Sequence, residues 1–375
     1  MTDKLVRFLD RNRPATPCLV VDLDRIEANY RALTSALAEA ALYYAVKANP
    51  APEVLERLVG LGACFDVASV PEVEMVLAAG AGPERISYGN TIKKEADIAR
   101  AWELGVRLFA FDAEAELRKI ARAAPGSKVF CRILTSGEGA EWPLSRKFGC
   151  TPEHAYELLR RAAELPVIPW GVSFHVGSQQ RDPSQWDAAI VSVARLFHDL
   201  DEAGVELGMV NLGGGFPTAY REGVPPAEAY GEAIRDSILR HFGNRLPQLI
   251  MEPGRGLVGD AGIIETEVVL ISRKGDADAR RWVYLDIGKF GGLAETMDEA
   301  IQYPIDSDRD GPGEPVILAG PTCDSADVLY ERAAYSLPAD LAIGDRLRIG
   351  ATGAYTTTYA SVGFNGFAPL QAYFI

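Results

Sequence analysis

The 375-residue sequence predicts an α/β protein, a (β/α)8 TIM barrel joined to a second, mainly β domain. Three observations carry this. Eight short apolar, β-branched runs follow one another between residues 42 and 252, separated by stretches of helical spacing. The first four begin at 42, 64, 86 and 108, a step of 22 residues, which is about one strand, one three-turn helix and two short loops. After Arg255 the helical spacing stops and strand-like stretches succeed each other directly.

Taken in order, the predicted barrel strands are Leu42–Lys47, Cys64–Ser69, Ile86–Asn90, Leu108–Asp112, Val129–Leu134, Gly171–Val176, Met209–Gly213 and Leu249–Glu252. They are apolar throughout rather than alternating, as strands covered on both faces should be. Helices are expected over Pro71–Gly80, Ile92–Gly105 and Ala113–Ala123, with Gly80 and Gly105 at their ends. An open doubly wound sheet is the competing arrangement, and the count of eight favours closure. Past the barrel, strands are expected at Ile263–Ser272, Arg281–Asp286, Val316–Ala319 and Asp345–Ile349, with a turn-rich surface loop at Asp306–Glu314. Pro17–Leu23 precedes the barrel and is expected to pair with these strands, which makes the β domain discontinuous. The barrel is assigned to residues 24–258 and the β domain to 1–23 and 259–375.

Hydrophobic residues make up 48% and charged residues 24%, a globular composition that excludes a disordered or fibrous chain. The formal charge of −14 argues against a protein that neutralises nucleic-acid phosphates and suits a small cationic substrate better, although acidity also serves solubility alone. Five cysteines, odd in number and without a CxxC pair, fit reduced thiols in a cytoplasmic protein rather than a disulfide or zinc framework. No stretch approaches the ~20 apolar residues of a membrane span. Neither a metal, a nucleic acid nor a membrane is expected as a partner.

In a barrel the active site lies at the C-terminal ends of the strands. Those ends supply Lys47, Asp66 with Ser69, Asn90, Asp112, Arg132, His175 with Ser178, the run Gly213-Gly214-Gly215, and Glu252 with Arg255. Lys47 directly follows the apolar run LYYAV and is expected in a desolvated mouth, where burial favours the neutral, nucleophilic amine; a salt-bridged strand-end lysine is the alternative. Three consecutive glycines exceed what a turn needs and offer unblocked backbone N–H groups to a phosphate, with Arg255 close by. A phosphate site and a buried lysine in one barrel point to pyridoxal phosphate, whose ring nitrogen needs a carboxylate such as Glu252 and whose face needs a flat partner such as His175. A structural ion pair with Arg255 is the alternative for Glu252.

The motifs YYAVKANP, SFHVGSQ, NLGGGFP, MEPGR and GPTCDSADVLY, five in the family's order with the last in the β domain, resemble the fold-type III pyridoxal-phosphate decarboxylases that act on ornithine, lysine, arginine and diaminopimelate. The resemblance runs from about Pro17 to Phe364, and EWPLSRKFGC and YLDIGKFGGLAETMDEAIQYP are most similar to the bacterial ornithine decarboxylase branch. It implies pyridoxal 5'-phosphate in Schiff-base linkage to Lys47, His175 stacked on the ring and Glu252 at the ring nitrogen. Asp66 and Arg132 match positions near the cofactor; Ser178, Gly214, Gly215, Arg255 and Tyr355 match positions that hold its phosphate. The resemblance also implies a homodimer with shared sites, in which Cys323 of the partner subunit reprotonates the substrate carbon and Asp324 of the partner subunit holds the distal amine; the null for Cys323 is a small buried apolar residue. Lys147 and Asp327 match an inter-subunit salt bridge. Tyr355 and Glu299 complete the substrate side, with Asp298 as the alternative to Glu299.

The implied reaction is decarboxylation of L-ornithine to putrescine and CO2 in polyamine biosynthesis. Dual lysine/ornithine specificity is the alternative, since one methylene in a pocket is worth only ~1–3 kcal/mol. Diaminopimelate fits less well, because its distal carboxylate wants a basic group where this chain has Asp324. An amino acid racemase would place an arginine near the ring nitrogen instead of Glu252. A non-catalytic, pyridoxal-phosphate-binding regulatory relative stands as the reading outside enzymes.

Overall fold

A computed structural model of the chain describes residues 2–142, 147–275 and 280–375, so that residues 143–146 of the EWPLSRKFGC motif lie outside the described residues. The chain divides into two compact units, one of Glu27–Pro217 with Val224–Gly256, the other of Met1–Ile26, Thr218–Gly223 and Leu257–Ile375.

The first unit is built on a closed barrel of eight parallel strands, Ala40–Ala45, Cys64–Val67, Ile86–Tyr88, Leu108–Phe111, Lys128–Arg132, Ile168–Ser173, Met209–Asn211 and Gln248–Met251. The eighth pairs with the first, Leu249 opposite Ala40, which closes the ring. Each predicted run lies on a strand, and the apolar composition has the expected cause. Val67, Phe109, Phe111, Val129, Cys131, Val172 and Val210 are all fully buried, because one face fills the barrel interior and the other packs on helices. Tyr43, Ala110, Phe130, Met209 and Ile250, from five different strands, form one internal cluster.

Helices Val70–Ala78, Glu95–Glu103 and Glu114–Ala123 cover the barrel where helical spacing predicts them. Ser69 caps the first of these by accepting from Glu72 N–H at 3.4 Å, and Glu72 Oε2 reaches back past the cap to Ala68 N–H at 2.7 Å. Gly80 and Gly105 follow helix ends with φ of +96° and +98°, the left-handed conformation that stops a helix at glycine. The predicted start at Ile92 falls short of the observed Glu95. Ile92 is 56% exposed, and Lys93 turns inward to donate to the carbonyls of Asn90 and Ala110, both at 2.7 Å, so residues 91–94 form a loop.

The second unit contains an eight-stranded sheet. Gly262–Ser272 is its spine: residues 263–267 pair with Arg346–Gly350, and the strand continues past a bulge to pair with Arg281–Leu285. Cys18–Val21 pairs antiparallel with the start of the spine and parallel with Gln371–Phe374, so the N-terminal segment does join the β domain. The helix Asp3–Asn12, whose Leu5 and Leu9 pack on Cys18, Val20 and Ile263, has no counterpart among the sequence expectations. Neither has the strand Val328–Pro338, which pairs with Gly313–Ala319. The expected loop at 306–314 contains the end of a short strand, Ile305–Ser307, paired with Arg346–Gly350; residues 308–313 are exposed.

Candidate functional site

The first strand ends at Ala45, before Lys47, and the chain tightens into a single 3-10 turn, Val46–Ala48. Val46 and Ala48 are buried and Lys47 between them is exposed. Lys47 therefore stands at the mouth but is not desolvated there, which corrects the expectation that burial of its own side chain supplies a neutral amine. A 3-10 turn puts successive side chains about a third of a turn apart, so neighbours of an exposed residue can be buried.

Two carboxyl groups stand on either side of this turn. Asp66 pairs with Ala45 in the strand register, and Glu252 follows the eighth strand next to Pro253, whose carbonyl accepts from Ala45 N–H at 3.1 Å. Burial pushes both pKa values up, and the charges of Lys47 and Arg132 pull them back. Glu252 also accepts a short hydrogen bond, 2.5 Å, from Asn211 Nδ2. Asn211 Oδ1 accepts from Gly213 N–H at 2.9 Å, so this fully buried amide ties the acid to the glycine run. Sequence reasoning passes over Asn211; a polar residue at a barrel strand's C-terminal end is the signal that marks it. Arg132, half-buried at the end of the fifth strand, lies near these acids, and desolvation lowers its pKa despite Glu252, Asp66 and Asp112.

His175 lies beyond the sixth strand. Its Nδ1 accepts from Gly177 N–H at 3.0 Å, which leaves the proton of the neutral ring on Nε2. Burial, then the nearby charges of Arg132 and Lys47, holds its pKa well below the ordinary histidine range. The imidazole is therefore neutral and flat at neutral pH, suited to lie against an aromatic ring.

The glycine run packs against the same histidine loop. A Cβ at Gly213 would stand 2.1 Å from Phe174 O, one at Gly214 2.6 Å from Glu252 O, and one at Gly215 2.6 Å from Gly177 O. Close packing alone thus requires all three glycines, and they are not surplus to the turn. The same lack of side chains leaves room for a ligand to approach the backbone. Ser178 Oγ accepts from Arg255 Nε and Nη2, both at 3.3 Å, and Arg255 is 3% exposed, which places a buried guanidinium beside the run. Of the other strand ends, Ser69 is spent as a helix cap, Asn90 holds the Ala68 carbonyl at 3.3 Å, and Asp112 accepts from Gly149 N–H at 2.7 Å.

The remaining sequence candidates belong to the β unit. Cys323 is exposed, with its N–H donating to Asn365 Oδ1 at 2.8 Å, so the null of a buried apolar cysteine does not hold for it. Asp324 is exposed and accepts from Ala326 N–H at 2.8 Å. Tyr355 adopts φ +57°, a left-handed backbone that non-glycine residues seldom take away from functional sites. Glu299, named for the substrate side, is hydrogen-bonded within its own chain. Its Oε1 accepts from the N–H groups of Glu331 and Arg332, both at 2.8 Å, and its Oε2 from Ala333 N–H at 2.6 Å. Asp327 is likewise spent within its own chain, accepting from Lys289 N–H at 2.7 Å and from Thr322 N–H and Oγ1 at 3.1 and 2.6 Å.

A parallel barrel that gathers an accessible lysine, a neutral histidine, two neighbouring carboxyl groups and a glycine run with a buried arginine defines a barrel of the aldehyde-cofactor class. The sequence comparison takes this one step further. Residues 23–259 match the pyridoxal binding domain of the pyridoxal-dependent decarboxylases, and the chain belongs to that family. It is 36% identical to a lysine/ornithine decarboxylase of Selenomonas ruminantium over 368 residues, 98% of this chain and 91% of the relative. It is also 32% identical to antizyme inhibitor 2 of Xenopus laevis, over 98% of this chain and 82% of that one. Among solved structures, a lysine/ornithine decarboxylase from Vibrio vulnificus complexed with putrescine superposes with a TM-score of 0.89 at 31% identity, covering 100% of this chain and 99% of the other. The cofactor is pyridoxal 5'-phosphate, and the residues present fit it: the buried Asp66 Oδ1 has no hydrogen-bond partner among the described residues, and the glycine run offers backbone where side chains would intrude.

Proposed function

We propose that the protein decarboxylates a basic amino acid with a terminal ammonium, L-ornithine to putrescine first, as a homodimer in the cytoplasm and in polyamine biosynthesis. The observation that supports this most is the gathering of Lys47, neutral His175, Glu252 and the Ser178–Arg255 pair in one barrel mouth. Pyridoxal 5'-phosphate, when bound, would supply the electron sink for the pair left on the substrate carbon as CO2 departs. Lys47 holds the cofactor's aldehyde carbon, and Glu252, oriented by Asn211, keeps a proton on the ring nitrogen. His175 lies flat against the ring without adding charge. Gly214, Gly215, Ser178, Arg255 and Tyr355 bind the phosphate, and Arg132 offsets the carboxyl groups. Cys323 of the partner subunit returns a proton to the substrate carbon, while Asp324 of the partner subunit holds the distal ammonium. Dual use of lysine is the second reading, favoured by the names of the relative from Selenomonas and of the structure from Vibrio.

CO2 release by the purified protein with added pyridoxal 5'-phosphate tests the proposal, with L-ornithine, L-lysine, L-arginine and meso-diaminopimelate compared in parallel. The expected result is preference for L-ornithine, with loss of release in Lys47→Ala. Cofactor binding without release from any of the four would overturn the decarboxylase activity and favour a non-catalytic, regulatory role, the chain being also similar to an antizyme inhibitor.

A further inference from the structure

Asp66 and Glu252 occupy one corner of the barrel, where the eighth, first and second strands lie side by side. The two carboxyl groups compete for few donors. Glu252 takes the amide of Asn211. Asp66 Oδ1, by contrast, is buried with no hydrogen-bond partner among the described residues. On the third-strand side Gly89 presses so close that a Cβ there would stand 2.0 Å from Asp66 Oδ1, leaving no room for a side-chain donor.

The charges that face Asp66 come from each surrounding wall. Lys47 on the turn after the first strand and Arg132 at the end of the fifth favour its ionised form; Glu252, Glu72 on the following helix and, above all, burial oppose it. A carboxylate oxygen buried without a donor is costly, and of two neighbouring acids the one with fewer hydrogen-bond donors takes the proton.

We propose that Asp66 is a neutral carboxylic acid in the cofactor-free barrel and acts toward pyridoxal 5'-phosphate as a hydrogen-bond donor, while Glu252 carries the negative charge. A protonated carboxyl has an O–H to donate where a carboxylate has only lone pairs. The proton stays on the Asp66 oxygen, and neither an electron nor a co-reactant is required. Asp66 is thus a positioning residue of the cofactor site, and only the identity of the bound group rests on the function proposed above.

Asp66→Asn tests this, being nearly isosteric, retaining a donor and unable to ionise. In the cofactor-free protein at neutral pH, the infrared difference between wild type and Asp66→Asn should show the carbonyl band of a protonated carboxylic acid in the wild type alone. Carbon-13 labelling of aspartate assigns the same band within the wild type should the variant not fold. The unfolded chain releases the Asp66 proton above about pH 3.8 whereas the folded chain keeps it, so wild-type stability should fall relative to Asp66→Asn as pH rises above that value. For the dissociation constant of pyridoxal 5'-phosphate, Asp66→Asn should stay within about threefold of wild type and Asp66→Ala should rise at least about tenfold. A missing acid band, or equal losses in the two variants, would overturn the proposal. Failure of the decarboxylase reading shows separately, as wild-type protein that binds the cofactor and releases no CO2.

Discussion

Lys93 shows how far one side chain can organise a barrel mouth from outside the chemistry. Its side chain has no exposure; its ammonium donates to Asn90 O and Ala110 O and lies 3.1 Å from Glu116 Oε1 as an ion pair. Burial pulls its pKa down to about 8 in spite of Glu116. Lys93→Met leaves those acceptors without their donor and should cost about 3 kcal/mol, read from urea unfolding. The linked pH dependence has a definite sign. Between about pH 8 and pH 10.5 the unfolded chain holds a proton that the folded chain has lost, so the advantage of wild type over Lys93→Met should widen as pH rises through that window. The lysine singled out by sequence, Lys47, differs in every respect: it is exposed, and its electrostatic effect falls on Asp66, Glu252 and His175.

At the scale of elements, the loop after the seventh strand and the turn at Glu299 are held by opposite means. The glycine run is held by the absence of side chains. Gly214→Ala would put a methyl group 2.6 Å from Glu252 O and 3.2 Å from His175 Nε2, so it should weaken pyridoxal 5'-phosphate binding at least about tenfold, measured by fluorescence titration. Gly213→Ala, at φ +66° and 2.1 Å from Phe174 O, should instead lower stability by more than about 1 kcal/mol. The Glu299 turn is held by a side chain. Its carboxylate accepts from three consecutive N–H groups and supports two successive left-handed residues, Asp298 at φ 54° and Glu299 at φ 58°. Glu299→Ala should cost about 1–3 kcal/mol in calorimetry even if substrate choice is unaffected. Barrel strands were legible because burial on both faces writes one continuous apolar signal. The strand Val328–Pro338 was not, since its exposed and buried residues alternate irregularly and it follows a motif rich in polar residues.

For the whole molecule, the net charge of −14 has a kinetic consequence. A field of that sign concentrates cationic amino acids near the surface, and salt screens it over about 8 Å at physiological ionic strength. If L-ornithine is the substrate, kcat/KM should fall about twofold to tenfold between about 0.02 M and about 0.5 M salt, mainly through KM. An uncharged salt-independent profile would mean that the acidity serves solubility alone. Thr218–Gly223, inside the barrel's stretch of sequence, belongs to the β unit, with Tyr220 edge-on to Tyr303 at 5.4 Å and Arg221 over Tyr335 at 4.4 Å. Those contacts join residues more than 80 positions apart, which no local pattern records.

The sequence by itself determined the barrel, the β domain with its N-terminal strand and the set of polar residues at the strand ends, because these follow from local periodicity and from the rule that barrel chemistry lies at strand C-termini. Only the tertiary structure decided what each polar group does. It exposed Lys47, assigned the Asn211 amide to Glu252 and not to Asp66, accounted for all three glycines by packing, and spent Glu299 and Asp327 on backbone N–H groups. Hydrogen-bond donors in a buried site are few and come from distant parts of the chain, so which acid receives one is fixed by the assembled fold and not by any segment of sequence.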